Sequence, residues 1–113
     1  MSQDQQTLDN SAASRQQLLS QLASLPGRSA LPAQMLQNLT SAWQESATAD
    51  QDLAKWASDE ASRGCSQNAQ ADPNYAAAAI PDNQAKADKI AFVNQWNSIA
   101  AEYGLTTYQW DQI

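Results

Sequence analysis

Residues 33–64, AQMLQNLTSAWQESATADQDLAKWASDEASRG, contain no glycine or proline before Gly64. Within them Leu36, Leu39, Trp43, Ser46, Asp50, Leu53, Ala57 and Glu60 follow one another at steps of three and four, the spacing that lines one face of an α-helix. The stretch predicts a single long helix, ended by a glycine able to take the left-handed conformation of a C-terminal cap. Its inner face is not purely apolar, because Ser46 and Asp50 interrupt it.

Outward from this segment the same periodicity recurs. Leu8, Ala12, Leu18, Leu19, Leu22 and Leu25 predict a first helix over about residues 4–25, and LPGRSALP, with Pro26, Gly27 and Pro32, ends it in a tight connection. On the other side, Asp72 as cap and Pro73 at the first helical position predict a short helix over 73–79, stopped by Ile80 and Pro81. From Asp82 a third main helix is expected to run to Tyr103, with Gly104 and Leu105 in the order of a Schellman ending and its apolar clasp. The tail TTYQWDQI is long enough only for a strap over the bundle.

These elements give an all-α fold in one domain covering 1–113: an antiparallel three-helix bundle with a short extra helix in the second connection, its helices over about 4–25, 33–64, 73–79 and 82–103. The composition agrees. Gly is scarce at three residues, Val93 is the sole valine, and Ala, Gln, Leu, Glu and Lys favour helix. The Gln-, Asn- and Ala-rich stretches keep their apolar stripes and read as solvated helix surface rather than low complexity.

Charge and residue inventory exclude several classes of function. Six Lys and Arg against twelve Asp and Glu give a net charge of -6, which repels phosphate backbones and anionic lipid, and the cations are scattered, so nucleic acid is not an expected partner. Histidine is absent, which removes the commonest general base and transition-metal ligand, so neither a zinc site nor a Ser-His-Asp relay can be assembled. Cys65 is alone, so it is a free thiol, a small semi-buried hydrophobe, or one half of a disulfide to another chain. No apolar run approaches the roughly 20 residues of a membrane span, and MSQDQQTLDN is too polar for a signal peptide, so no direct membrane insertion is expected. Met1 and Ser2 fit a start placed after natural upstream sequence has been removed. No cofactor and no catalytic constellation is expected, and the chain is read as a non-enzyme.

The polar members of the apolar stripes are the candidate site. In KIAFVNQWNSIAAEYG, residues 89–104, Phe92, Trp96, Ile99 and Tyr103 form an aromatic stripe, and Asn97 sits among Ile90, Val93 and Ala100. Stripes of this kind usually fill a bundle interior, at about 1.5–3 kcal/mol per large side chain. Pairing helices two and three around residues 65–81 makes residue numbers at equal height total about 146. That register sets Trp43 level with Tyr103, and Asp50 level with Trp96 and Asn97. Ser46, Asp50, Trp96 and Asn97 are therefore the candidate buried polar cluster, with the Trp96 indole or the Asn97 amide donating to Asp50; it is either a clamp on helix register or the lining of a small pocket. Arg15 falls on the inner stripe of helix one near Trp43, within reach of Glu45. Trp56 points about 140° away from the main seam, so it is covered by the 65–80 segment with Tyr75 or forms with Ala49 and Ala42 a partner-binding patch, and Trp56 and Tyr75 are the candidate partner residues.

AWQESATADQDLAKWASDEASRGC, NYAAA, AKADKIAFVNQWNSIAAEYGL and the terminal Ile resemble an uncharacterised helical domain of actinobacterial cell-envelope proteins, exported or membrane-anchored. The resemblance spans most of residues 8–113, through Trp43, Ser46, Asp50, Trp56, Ala57, Cys65, Lys86, Phe92, Trp96, Asn97, Ala100 and Tyr103 to Leu105. It implies no activity and an extracytoplasmic location; it also implies a second, upstream cysteine, which this chain lacks. The expectation is a non-catalytic extracytoplasmic interaction or sensory domain with an unidentified protein partner, in an oligomeric state the sequence leaves open. Two alternatives stand beside it. One is a secreted type VII-like helical hairpin, which wants Trp-x-Gly between helices where this chain has Trp43-Gln44-Glu45 within one. The other is a small-ligand carrier with a polar pocket near Asp50.

Overall fold

The chain is described from a computed structural model, which covers residues 2–64 and 69–113; Cys65 lies outside the described residues. Three α-helices, α1 (Ser2–Ala23), α2 (Ala33–Arg63) and α3 (Pro73–Tyr103), are joined by 3-10 turns at Arg28–Ala30 and Ala69–Ala71 and followed by another at Trp110–Gln112. No strand occurs among the described residues. Helix α2 packs against both α1 and α3, in a body 53 Å long and 23 by 20 Å across.

The helix ends follow local chemistry. Gly64 takes φ 79° and closes α2 by donating its N–H to the Glu60 carbonyl. The Asp72 carboxylate accepts from the Asn74 N–H at 2.8 Å, with Pro73 in the first turn where no N–H is needed. At the far end Gly104 is left-handed and the Leu105 N–H reaches back to the Ala100 carbonyl at 2.8 Å, the six-to-one bond of a Schellman ending. The apolar clasp expected of Leu105 is loose, since half its surface stays in solvent.

One expectation fails here. The helix beginning at Pro73 does not stop at Ile80 and Pro81 but continues to Tyr103, so there is no separate 73–79 helix. A proline inside a helix removes one hydrogen bond and crowds the carbonyl four residues back, at about 3 kcal/mol. Ala78 and Ala85, each 3 % exposed, are buried on either side of Pro81, and this burial holds the helix through the break.

The longer α3 shifts the register. Asn38 donates to Gln95 at 3.1 Å, Asn74 donates to Asp59 at 3.0 Å, and Arg63 binds Asp72, so residue numbers at equal height total about 133 instead of 146. Asp50 therefore lies about three and a half turns from Trp96 rather than beside it. Trp43 is level with the turn before Phe92, not with Tyr103, which is 69 % exposed.

Large side chains collect at one end. Leu22, Met35, Leu36, Leu39, Phe92 and Val93 form the buried cluster, with Leu31, Trp43, Trp96, Ile99 and Ile113 packed on it. Ile90, expected in the seam, is 37 % exposed. Towards the other end the interface is built from Ala47, Ala49, Ala54, Ala57, Ala78 and Ala85.

Candidate functional site

The candidate residues separate into three places along the rod. The first is a polar layer in the middle. Arg15 of α1 faces Asp50 of α2, Nε to Oδ2 at 3.5 Å, so Asp50 is partnered by Arg15 and not by Trp96 or Asn97. Arg15 in turn meets Asp50 rather than Glu45. The pair is imperfect: Arg15 Nε and Asp50 Oδ2 are buried without a hydrogen bond, as is Trp43 Nε1. Lys89 of α3 is 9 % exposed; burial pushes its ammonium below the usual lysine range and Arg15 adds to this, while Asp50 and Asp82 act in the opposite sense. Beside it, burial and the neighbouring Asp88 carboxyl, by hydrogen bond and by charge, push Glu45 up to about 7. Ser46 is buried in the same part of α2, and the set Ser46, Asp50, Trp96 and Asn97 is not assembled in one place.

Trp96 and Asn97 belong to the second place, the strap. The Trp96 indole N–H donates to the Thr106 carbonyl at 2.9 Å. The Asn97 Nδ2 donates to the Tyr108 carbonyl at 2.8 Å, and the Tyr108 N–H donates to Asn97 Oδ1 at 2.9 Å. Further along, Lys86 Nζ sits 4.8 Å from the centre of the Trp110 ring, within cation–π range. Gln109 and Gln112 close the last turn reciprocally, and Ile113 returns to the core. The tail, residues 105–113, thus runs back along α3 from Asn97 and Trp96 to Lys86. Sequence reasoning foresaw a strap but not its anchors, because an Asn in a helix carries no mark of which backbone it will bind.

The third place is the connection between α2 and α3. The Trp56 indole N–H donates to the Ala69 carbonyl at 2.8 Å, and Tyr75 packs on Trp56 with ring centroids 5.1 Å apart and planes tilted by 59°. The expected cover for Trp56 is thus present, and both rings remain half-buried beside an open groove. Nearby, Arg63 binds Glu60 at 3.0 Å and also Asp72. The hydrogen bond to Asp72 raises Arg63 despite its partial desolvation, with the charges of Glu60, Asp72 and Asp59 adding to the effect. Burial alone would push the Asp72 carboxyl up, but the Asn74 N–H, Arg63 and Asp59 hold it below the usual carboxylate range. This network, unmarked in the sequence apart from the Asp72 cap, locks the connection to both helices.

No helix among the described residues is long and apolar enough to cross a membrane. No protein-family model, curated protein or solved structure matches the chain.

Proposed function

We propose that the chain is an antiparallel three-helix bundle acting as a non-catalytic, extracytoplasmic interaction or sensory module of the cell envelope. The observation that carries this reading is the groove of Leu53, Trp56, Tyr75, Ala78, Ala79 and Asp82. Its two aromatic rings are held in place by the fold yet keep part of their surface in solvent, as expected of residues kept for recognition. The other polar groups singled out above are engaged in holding the fold together: Asn97 and Trp96 bind the strap, and Arg63, Asp72, Asn74 and Asp59 bind the connection. Support for the compartment comes from the sequence resemblance.

A carrier built around a polar pocket at Asp50 is disfavoured, because Asn97 lies elsewhere and Asp50 is taken by Arg15. The helical-hairpin alternative is disfavoured by Trp43, which sits within α2 rather than in a turn.

A photoreactive residue in place of Ala79, which lines the groove and is exposed, tests the reading in the full chain on intact cells. Adducts to one envelope component, lost with Trp56→Leu and absent from a probe at exposed Gln16 on α1, are expected. Equal labelling from both positions would remove the groove from any recognition role.

A further inference from the structure

The groove at Trp56 has a chemistry more specific than an apolar surface. Its volume is about 420 Å³, several times that of a single small functional group. Trp56 and Tyr75, at 5.1 Å and 59°, form an open corner rather than a stack. Because the indole N–H is already bound to Ala69, the ring has no donor left for a ligand, and what it offers is the negative face of its π system. Tyr75 contributes a second ring of the same kind. Leu53, Ala78 and Ala79 supply an apolar floor, and Asp82, one helical turn beyond Ala78, adds a carboxylate.

Three features select the ligand. No Lys or Arg lines the groove, and the net charge of -6 favours the approach of cations. Asp82 has no partner at salt-bridge distance among the described residues; the buried Lys89 senses its charge only at longer range. A corner of two π faces favours a cation that is large, weakly hydrated and clothed in methyl groups over a compact ammonium that must shed water. Three other hollows lack this combination. The groove of Gln5, Asp9 and Gln51 contains Lys55 and no aromatic ring, and the two hollows flanking Trp43 contain no charged side chain.

We propose that the Trp56–Tyr75–Asp82 groove binds the trimethylammonium group of a small solute, with the cation against the two rings and its charge answered by Asp82. The proposal rests on the sensory reading above and names the class of molecule sensed.

The test is a titration of the full chain with choline chloride and tetramethylammonium chloride at constant ionic strength, read by tryptophan fluorescence and by backbone amide NMR shifts. The neutral isostere 3,3-dimethyl-1-butanol is the control. Saturable binding centred on Trp56, Tyr75 and Ala79 is expected, with the isostere weaker by about fivefold or more. Tyr75→Leu and Asp82→Asn, each with a wild-type melting temperature, should weaken binding about threefold to tenfold. Equal binding of the isostere, shifts centred elsewhere, or folded variants that bind as the wild type does would overturn the proposal. Phosphatidylcholine vesicles separate the source of the group: sedimentation with vesicles that free choline competes away keeps the site, and sedimentation indifferent to choline overturns it. A failed titration with intact cross-linking from position 79 would reject the ligand class while leaving the interaction module standing.

Discussion

The side-chain amide of Asn97 holds both backbone groups of Tyr108, accepting from its N–H at 2.9 Å and donating to its carbonyl at 2.8 Å. This two-bond grip is blind to the side chain at 108 and depends only on an extended backbone. It is the central anchor of the strap, between Trp96 on Thr106 and Lys86 on Trp110. Asn97→Ala should cost about 1–3 kcal/mol and raise amide hydrogen exchange across residues 105–113 while α2 stays protected. Asn97→Asp keeps the acceptor and loses the donor, so it should fall between. Unchanged exchange in the tail of Asn97→Ala would mean that Trp96, Trp110 and Ile113 hold it without Asn97.

The paired carboxyls of Glu45 and Asp88 make stability depend on pH. Glu45 is raised by burial and by Asp88 from its unfolded value of 4.5 to about 7, so between those values the folded chain keeps a proton that the unfolded chain has released. Stability contributed by this proton is complete below about 4.5 and lost as pH rises to about 7. The expected loss is about 1–2 kcal/mol after allowing for screening at a partly exposed site. Glu45→Gln should flatten that part of the profile and stabilise the chain at pH 8, as measured by urea unfolding across the range.

Asp50 is the counter-charge of a layer that also contains Arg15 and the buried Lys89. Removing it leaves two cations without their nearest carboxylate, so Asp50→Ala should destabilise by about 3 kcal/mol. Replacing the pair together, Arg15→Met with Asp50→Leu, exchanges an imperfect ion pair for apolar contact and should come within about 1 kcal/mol of the wild type. Chemical denaturation of Arg15→Met, Asp50→Leu and the double variant gives the coupling, and a double variant as unstable as Asp50→Ala would show the layer to be indispensable.

Pro81 interrupts the hydrogen-bond ladder of α3. Pro81→Ala should restore that bond, and the gain of about 3 kcal/mol is partly offset by the greater freedom of the unfolded chain, leaving about 2 kcal/mol. A higher melting temperature without loss of helical circular dichroism is the expected result. A lower one would show that the proline at 81 is needed for Ala78 and Ala85 to pack.

How far the chain could be understood before its structure depended on what each residue type encodes. The long helix over 33–63, the caps at Gly64, Asp72 and Gly104, and the strap were all readable, because glycine conformations and helical periodicity are local properties. The continuous α3 was not. Proline is a strong local stop signal, and only burial of alanines on both sides overrides it. That single error propagated, since ending the connection at 81 instead of 72 displaced the register by more than three turns and sent Asp50 to the wrong neighbours. The angle of Trp56 on its helix sets it off the main seam whatever the register, and Tyr75 packs on it there. The Arg63–Asp72–Asn74 network and the strap anchors depend on tertiary placement of ordinary polar residues, for which no spacing rule exists.

The crowding of Met35, Leu36, Leu39, Phe92 and Val93 at one pole, opposite a pole lined by alanine, makes the rod mechanically graded. Methyl groups allow close backbone approach but little contact per residue, so the alanine pole should loosen first under tension or heat. The groove at Trp56 is carried on that looser half, while the Arg63–Asp72–Asn74 network keeps the connection beyond it closed. Any molecule seated in that groove would therefore stiffen the softer end of the rod and reset the load at which it opens.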